Sequence, residues 1–256
     1  MEKPKEISVM KDAIEDGAVC GPEACGPTTQ QSEREIAAKP AASHHLIVVS
    51  DVICPWCFMA KRNLEKALQM LGPKLQVEIT WSAFELNPEM PKEGMDRYQY
   101  RSKKFGSWDH SQSLDAQVAE AGASAGIAFR HDLIARTPNT FNAHRLIRLA
   151  QEEGVQDAVV ESLFRAYFTQ GQDVGDINVL VGIATQSGIA KDRARAFIES
   201  TDGTDVVRRD AQMAIACGIS AVPTFIFDGH VLFSGAFKPE MMAERLLAGT
   251  VVNAKR

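Results

Sequence analysis

In residues 46–82, the arrangement of hydrophobic and polar positions predicts a strand, a helix and a second strand. Residues 46–49 form a short unbroken apolar run, which is typical of a strand buried on both faces. After Pro55, apolar residues recur at helical spacing until the Gly72-Pro73 pair ends the pattern. Apolar and polar positions then alternate over residues 75–82, which indicates a strand with one buried face. In a parallel crossover of this kind, the turn after the first strand lies at the sheet edge where sites are usually found.

The pattern from residue 91 to residue 217 is helical, and strand signals are absent from it. Three sets of apolar residues follow the i, i+3, i+4, i+7 spacing of a buried helix face. The sets are Ala143, Leu146, Ile147 and Ala150; Val160, Leu163, Phe164 and Tyr167; and Ile177, Leu180, Val181 and Ala184.

The last part of the chain has the pattern of a hairpin followed by a helix. Two apolar runs flank Asp228-Gly229, a dipeptide that strongly favours a hairpin turn, and a closing helix is predicted over residues 239–248. The complete order is typical of an α/β thioredoxin fold (βαβ, then ββα) that is interrupted by an all-helical insertion. We therefore divide the chain into a flexible N-terminal tail (1–43), the first half of the thioredoxin domain (44–90), the helical insertion (91–217) and the second half (218–256).

Composition and charge exclude several classes of function. The 256 residues are 45% hydrophobic and 24% charged, which is ordinary for a globular protein. The net charge of −5 comes without a basic stripe, so nucleic acid is not an expected partner. Every apolar run is far shorter than the roughly 18 residues that a membrane span needs. Four of residues 1–6 are charged and no apolar stretch follows them, so we expect a cytoplasmic protein.

Cys54 and Cys57, two of five cysteines, lie one helical turn apart on the same side of the first predicted helix. Pro55 suits the first helical position, and the unpaired N–H groups and dipole of the helix start favour a thiolate at Cys54. A thiolate attacks disulfides, and Cys57 is near enough to close a disulfide with Cys54, so redox exchange is the favoured interpretation. The alternatives are two inert core thiols or half of a zinc site. The further zinc ligands near in sequence would be Cys20, Cys25, His44 and His45.

Four motifs occur in order along the chain. They are Cys54-Pro55-Trp56-Cys57, then Phe84-Glu85-Leu86-Asn87-Pro88, then Pro138-Asn139-Thr140 with Ala143-His144, and finally Gly218-Ile219 leading into Val222-Pro223-Thr224-Phe225. Through these motifs, residues 46–248 resemble the DsbA-like thioredoxin superfamily and, more narrowly, its FrnE-like subgroup.

This resemblance implies a thiol-disulfide oxidoreductase, or disulfide isomerase, in which Cys54 is the nucleophile and Cys57 the resolving thiol. It also implies a cis peptide bond before Pro223, beside the sulfurs, where the backbone of Val222 pairs with an extended substrate segment. The expected partners are protein or small-molecule thiols and disulfides. No metal and no cofactor is expected, and glutathione enters only as a candidate thiol substrate. The oligomeric state is not predicted.

An alternative function comes from a second resemblance. The helical insertion and residues 138–140 are also similar to 2-hydroxychromene-2-carboxylate isomerases and kappa-class glutathione transferases. Those enzymes bind glutathione and typically have serine at the position of Cys54, so the dithiol argues against a glutathione-dependent isomerase or transferase. A third hypothesis is a non-catalytic module that grips unfolded segments, and the intact pair of Cys54 and Cys57 argues against that as the sole activity.

Several further residues carry weaker signals. Pro55, Trp56, Val222, Pro223 and Asn139 are candidate substrate-binding residues, although Trp56 alternatively packs at the helix start and Asn139 alternatively caps a helix.

Four other hypotheses concern the tail and the polar residues. Cys20 and Cys25 are a candidate accessory redox pair, although tails of this composition more often have no catalytic role. Glu85 is either a buried proton-accepting carboxylate or a solvated loop acid, and His144 either lines a cleft or is a core histidine. A solvated face is predicted for Arg101, Lys103 and Lys104.

Overall fold

The computed structural model describes residues 44–253 of the chain. In chain order, its strands are β1 (His44–Ser50), β2 (Val77–Ala83), β3 (Met95–Asp96), β4 (Arg136–Thr137), β5 (Thr224–Phe227) and β6 (His230–Ser234). Its α-helices are α1 (Pro55–Leu71), α2 (Arg97–Phe105), α3 (Trp108–Ala125), α4 (Phe141–Glu152), α5 (Gln156–Gln170), α6 (Ile177–Gln186), α7 (Lys191–Glu199), α8 (Thr204–Ala216) and α9 (Pro239–Asn253).

A four-stranded mixed sheet of order β2-β1-β5-β6 organises the fold. The strand β1 pairs in parallel with β2 and antiparallel with β5, which in turn pairs antiparallel with β6. The hairpin between β5 and β6 turns at Asp228 and Gly229, which both have positive φ (47° and 84°) as a two-residue hairpin turn requires. The predicted order of βαβ, helices and ββα is confirmed.

Residues on both faces of β1 are buried, as its unbroken apolar run predicts. Val48 and Phe225 belong to a large buried cluster that includes Leu246 of α9. Val49 points to the opposite face and belongs to a second cluster with Ala214 of α8. The sheet is therefore covered by helices on both sides.

The helices between β2 and β5 share one hydrophobic core with the sheet. Phe58 of α1 stacks on Phe164 of α5 with 5.2 Å between ring centroids, and both rings are fully buried. This packing fixes the position of α1, and hence of the cysteine turn, relative to the inserted helices. The boundaries between the predicted domains stay a prediction.

Two details differ from the sequence-based expectation. The second strand begins at Val77 rather than at residue 75, because residues 72–74 form a 3-10 turn. The segment 91–217 also contains strands, since Met95 pairs with Thr137 and Asp96 with Arg136. Strands of two residues are too short to show an alternating pattern. In residues 44–253, no helix is both long and apolar enough to cross a membrane.

Candidate active site

The cysteine turn connects the end of β1 to the start of α1. The buried carboxylate of Asp51 accepts hydrogen bonds from the backbone amides of Leu86 (2.7 Å) and Ile53 (3.4 Å), which ties this turn to the loop after β2. The backbone amide of Cys54 donates to the Asp51 carbonyl at 3.0 Å. Cys54 is the residue before the helix, in extended conformation, and Pro55 occupies the first helical position. The predicted placement of Cys54 at a helix start is confirmed.

The two thiols of the turn have different surroundings. Both are free, Cys54 is 4% exposed and Cys57 is completely buried. Burial raises the pKa of Cys57 well above its ordinary value, and the hydrogen bond and charge of the Cys54 sulfur raise it further. Hydrogen bonds from the Ser50 hydroxyl and the Asp51 backbone lower it by less. Cys57 is thus held as a protonated thiol beside the Cys54 sulfur.

The segment before β5 contacts the cysteine turn directly. The peptide bond between Val222 and Pro223 is cis, so the isomer implied by the resemblance is present. The thiol of Cys54 donates to the Val222 carbonyl at 3.6 Å, a distance suited to a sulfur donor. Pro223 is held from the other side, since its carbonyl accepts the backbone amide of Gly235 at 2.8 Å.

A cleft of about 460 Å³ opens in front of Cys54, between the cysteine turn and the helices α2 and α3. Four of the predicted site residues line it together: Cys54, Pro55, Trp56 and Val222. The Trp56 side chain is 46% exposed, so it lies at the surface rather than packed at the helix start.

The far wall of the cleft is cationic. Arg97 and Arg101 both donate to the carboxylate of Asp115, at 2.6 and 2.7 Å, and Lys104 lies one turn further along α2. His131 also lines the cleft, and burial lowers its pKa, so it is neutral at pH 7 despite the nearby Asp115. Two arginines and one lysine against a single carboxylate leave this wall positively charged.

The prediction of a solvated face for Arg101, Lys103 and Lys104 is therefore wrong for Arg101, which is half-buried and paired. Lys104 is exposed but lines the cleft. The spacing of Arg97, Arg101 and Lys104 along one helix face is the signal that could have grouped them.

Asn139 does not join the other predicted site residues. It lines a different hollow, of about 410 Å³, together with residues at the start of α6. Its side-chain amide donates to the Met90 carbonyl at 2.7 Å, and its oxygen accepts the Phe141 backbone amide at 3.0 Å. Because both ends of this side chain hold neighbouring backbone, Asn139 orders the start of α4 rather than the cleft.

The structure separates His44 and His45 from the cysteine turn. They stand at the start of β1, and six residue steps at about 3.3 Å place them roughly 20 Å from its end. His44 bonds to the carboxylate of Asp228 at 2.7 Å, and His45 to the Thr80 hydroxyl at 2.8 Å. These histidines therefore cannot complete a zinc site with Cys54 and Cys57. The Cys20 and Cys25 pair lies outside the described residues.

A buried polar group lies behind the dithiol, on the side away from the cleft. His144 of α4 is 3% exposed, and its Nε2 is 3.5 Å from the Asp51 carboxylate. Glu85 is half-buried, and burial raises the pKa of its carboxyl while the charge of His144 lowers it. Of the two alternatives for His144, the core position is the one observed. Sequence reasoning missed Asp51, although its place three residues before Cys54 is visible in the sequence.

Comparison with known proteins agrees with this geometry. The family described as the DSBA-like thioredoxin domain matches residues 45–247. Protein YwbO of Bacillus subtilis (strain 168), described as uncharacterized, is 28% identical over 195 residues, which cover 76% of this chain and 92% of YwbO.

Two solved structures extend the likeness. The crystal structure of a probable DsbA oxidoreductase from Streptomyces coelicolor has a TM-score of 0.74 and 29% identity, covering 81% of this chain and 90% of that one. A 2-hydroxychromene-2-carboxylate isomerase has a TM-score of 0.61 and 15% identity over 82% of this chain and 98% of its own, which is a likeness of fold alone. These matches confirm the predicted α/β thioredoxin fold with its helical insertion.

Proposed function

The chain belongs to the DsbA-like thioredoxin domain family, and we propose that it is a thiol-disulfide oxidoreductase that exchanges disulfides through Cys54 and Cys57. One observation carries the proposal: the Cys54 thiol lies at a helix start, in the wall of an open cleft, with the completely buried Cys57 thiol one helical turn further on. The cleft gives a substrate disulfide access to one sulfur only. This difference in access supports Cys54 as the attacking sulfur and Cys57 as the resolving one.

In the proposed exchange, the Cys54 thiolate attacks one sulfur of a substrate disulfide. A bond forms between that sulfur and Cys54, the substrate disulfide breaks, and its second sulfur leaves as a thiolate. Cys57 then attacks the Cys54 sulfur, closes the internal disulfide and releases the remaining substrate thiolate. The substrate is reduced by two electrons and the cysteine pair is oxidised by two, and the reverse sequence oxidises a dithiol.

The surroundings of Cys54 support a peptide-like substrate. Strand-like pairing with the backbone at Val222 suits an extended segment, and the exposed Trp56 ring offers an apolar contact beside the sulfur. The proposed partners are therefore protein thiols and disulfides or small thiol peptides. Glutathione fits this description. A cleft of about 460 Å³ has the size of a small-ligand site, and its positively charged wall would attract the carboxylates of glutathione.

Reduction of insulin by dithiothreitol tests the proposal. The wild-type protein should accelerate insulin precipitation, and Cys54→Ser should abolish the acceleration. Cys57→Ser, incubated with insulin in the absence of dithiothreitol, should instead accumulate a mixed disulfide on Cys54, visible as an added mass that dithiothreitol added afterwards removes. Cys217→Ser is the matched control, since Cys217 is a half-buried thiol at the end of α8 and should be dispensable. Full activity of Cys54→Ser would overturn the proposal.

A glutathione-dependent isomerase or transferase remains the second candidate. The observation in its favour is the cationic wall of Arg101 and Lys104 opposite Cys54, which suits the carboxylates of glutathione and of a chromene carboxylate. This candidate predicts turnover of 2-hydroxychromene-2-carboxylate that needs glutathione and survives Cys57→Ser. Thiol-disulfide exchange predicts no such turnover.

A further inference from the structure

When Cys57 attacks the mixed disulfide, its thiol has to lose a proton, and the cleft in front of Cys54 provides no acceptor for that proton. Cys57 attacks as a thiolate, yet it is completely buried and its thiol form is favoured. The helix start and the open cleft are on the side of Cys54. A proton acceptor for Cys57 has to lie on the buried side of the pair.

A polar connection on that side can be built from two side chains and one water molecule. The Ser50 hydroxyl lies close enough to the Cys57 sulfur to lower the pKa of that thiol. Ser50 and His144 both line a small cavity of about 20 Å³ between β1, β2 and α4. A cavity needs about 10–15 Å³ to hold one water molecule, so this one has room for a single water.

His144 is suited to receive a proton through this connection. The side chain is almost fully buried, and its Nε2 has no hydrogen-bond partner among the described residues. Buried polar atoms are rarely left without a partner, and a water in the cavity would provide one. The Asp51 carboxylate, 3.5 Å from Nε2, would stabilise the imidazolium once the proton arrives.

We infer that His144 takes up, through Ser50 and one water in this cavity, the proton that leaves Cys57 when Cys57 attacks the mixed disulfide. The inference rests on the proposed function. The sulfur of Cys57 bonds to that of Cys54, the bond between Cys54 and the substrate breaks, and the substrate leaves as a thiolate. The proton passes from Cys57 to the Ser50 hydroxyl, whose own proton moves through the water to the imidazole of His144.

Other charged groups surround His144 on the elements that pack against it. They are Asp51 after β1, Glu85 after β2, Arg148 on α4, and Arg208 and Asp210 on α8. Arg148 and Asp210 line the cavity itself, and burial raises the pKa of Asp210.

A two-step reaction with 5,5′-dithiobis(2-nitrobenzoate) separates the two thiols. The full chain carries Ser in place of Cys20, Cys25 and Cys217, so that every thionitrobenzoate released comes from the cysteine pair. Attack by Cys54 releases the first thionitrobenzoate and leaves a mixed disulfide. Attack by Cys57 releases the second, and stopped-flow absorbance follows both phases at several pH values.

The variant His144→Gln should slow only the second phase at pH 7, by about 100-fold, the lower end of the range for a lost general base. The difference should shrink as the pH rises, because Cys57 then ionises more readily without an acceptor. A change in packing alone would slow the phase equally at every pH. His110→Gln, an exposed histidine on α3, is the matched control and should keep both phases.

Ser50→Ala, which keeps the imidazole but removes the hydroxyl link, should give the same slow second phase with the same pH trend. If His144→Gln misfolds and loses the first phase, the rate of the second phase in Ser50→Ala still tests the proton transfer from Cys57 to His144. A second phase of wild-type rate at pH 7 in either folded variant overturns the role of His144. If the background protein itself shows no second phase, the proposed function fails instead.

Discussion

Alkylation of the reduced protein by iodoacetamide should distinguish the two active-site thiols. Iodoacetamide reacts with thiolates, and about 3% of an ordinary thiol is ionised at pH 7 if its pKa is about 8.5. Burial raises the pKa of Cys57 well above the ordinary value, and each pKa unit lowers the thiolate fraction about tenfold. Cys57 is also inaccessible, whereas Cys54 borders the cleft. At pH 7 we expect Cys54 to be labelled at least about tenfold faster than Cys57.

The measurement uses short pulses of iodoacetamide, followed by denaturation and labelling of the remaining thiols with a heavy form of the reagent. Fragment masses of the peptide that contains both cysteines then give the two rates separately. The rate at Cys57 should climb above pH 9, because the thiol loses its proton only there. Cys54→Ser is the informative control, since burial, the largest cause of the raised pKa, remains and Cys57 should stay slow. Equal rates at Cys54 and Cys57 at pH 7 would refute the proposed asymmetry.

Three further predictions concern the scaffold around the site. Phe58→Ala removes a fully buried ring that stacks on Phe164 and should cost about 3–5 kcal/mol, a fall of roughly 6–20 °C in Tm by calorimetry. Glu85→Gln should raise the free energy of unfolding in urea at pH 7 but not at pH 4. Burial raises the pKa of Glu85, so its carboxylate form destabilises the folded state at pH 7. This destabilisation disappears once the carboxyl group is protonated. In a phenolate titration followed by absorbance, Tyr167 should stay un-ionised near pH 11, because burial raises its pKa well above the ordinary value for tyrosine; three phenolates in the folded protein at that pH would contradict this.

The sequence predicted those features that depend on residues close together in the chain. The apolar run of β1, the helical spacing of α1 and the position of Cys54 before Pro55 are local, and the structure has all three. The Asp228-Gly229 turn is local as well, because its backbone angles follow from the two residue types. The cis bond at Pro223 required the family resemblance, since most X-Pro bonds are trans.

The residues that sequence reasoning misplaced are those whose partners are distant in the chain. Arg101 has the spacing of a surface residue, and only the packing of α2 against α3 brings it to Asp115 and the cleft. His144 lies 93 positions after Asp51, so nothing in either local sequence indicates that they meet. Asn139 differs, because its hydrogen bond to the Phe141 amide is a local capping interaction of the kind that the sequence also allows, and it lies outside the cleft.

The asymmetry of the dithiol explains why the helical insertion matters for the chemistry. The insertion contributes one wall to each side of the cysteine turn: α2 and α3 form the cleft in front of Cys54, and α4 places His144 behind Cys57. Substrate therefore enters on one side of the pair and, in the mechanism inferred above, the proton leaves on the other. Because the two sides share no residue except the cysteine turn itself, substitutions in the cleft can alter substrate choice without altering proton transfer.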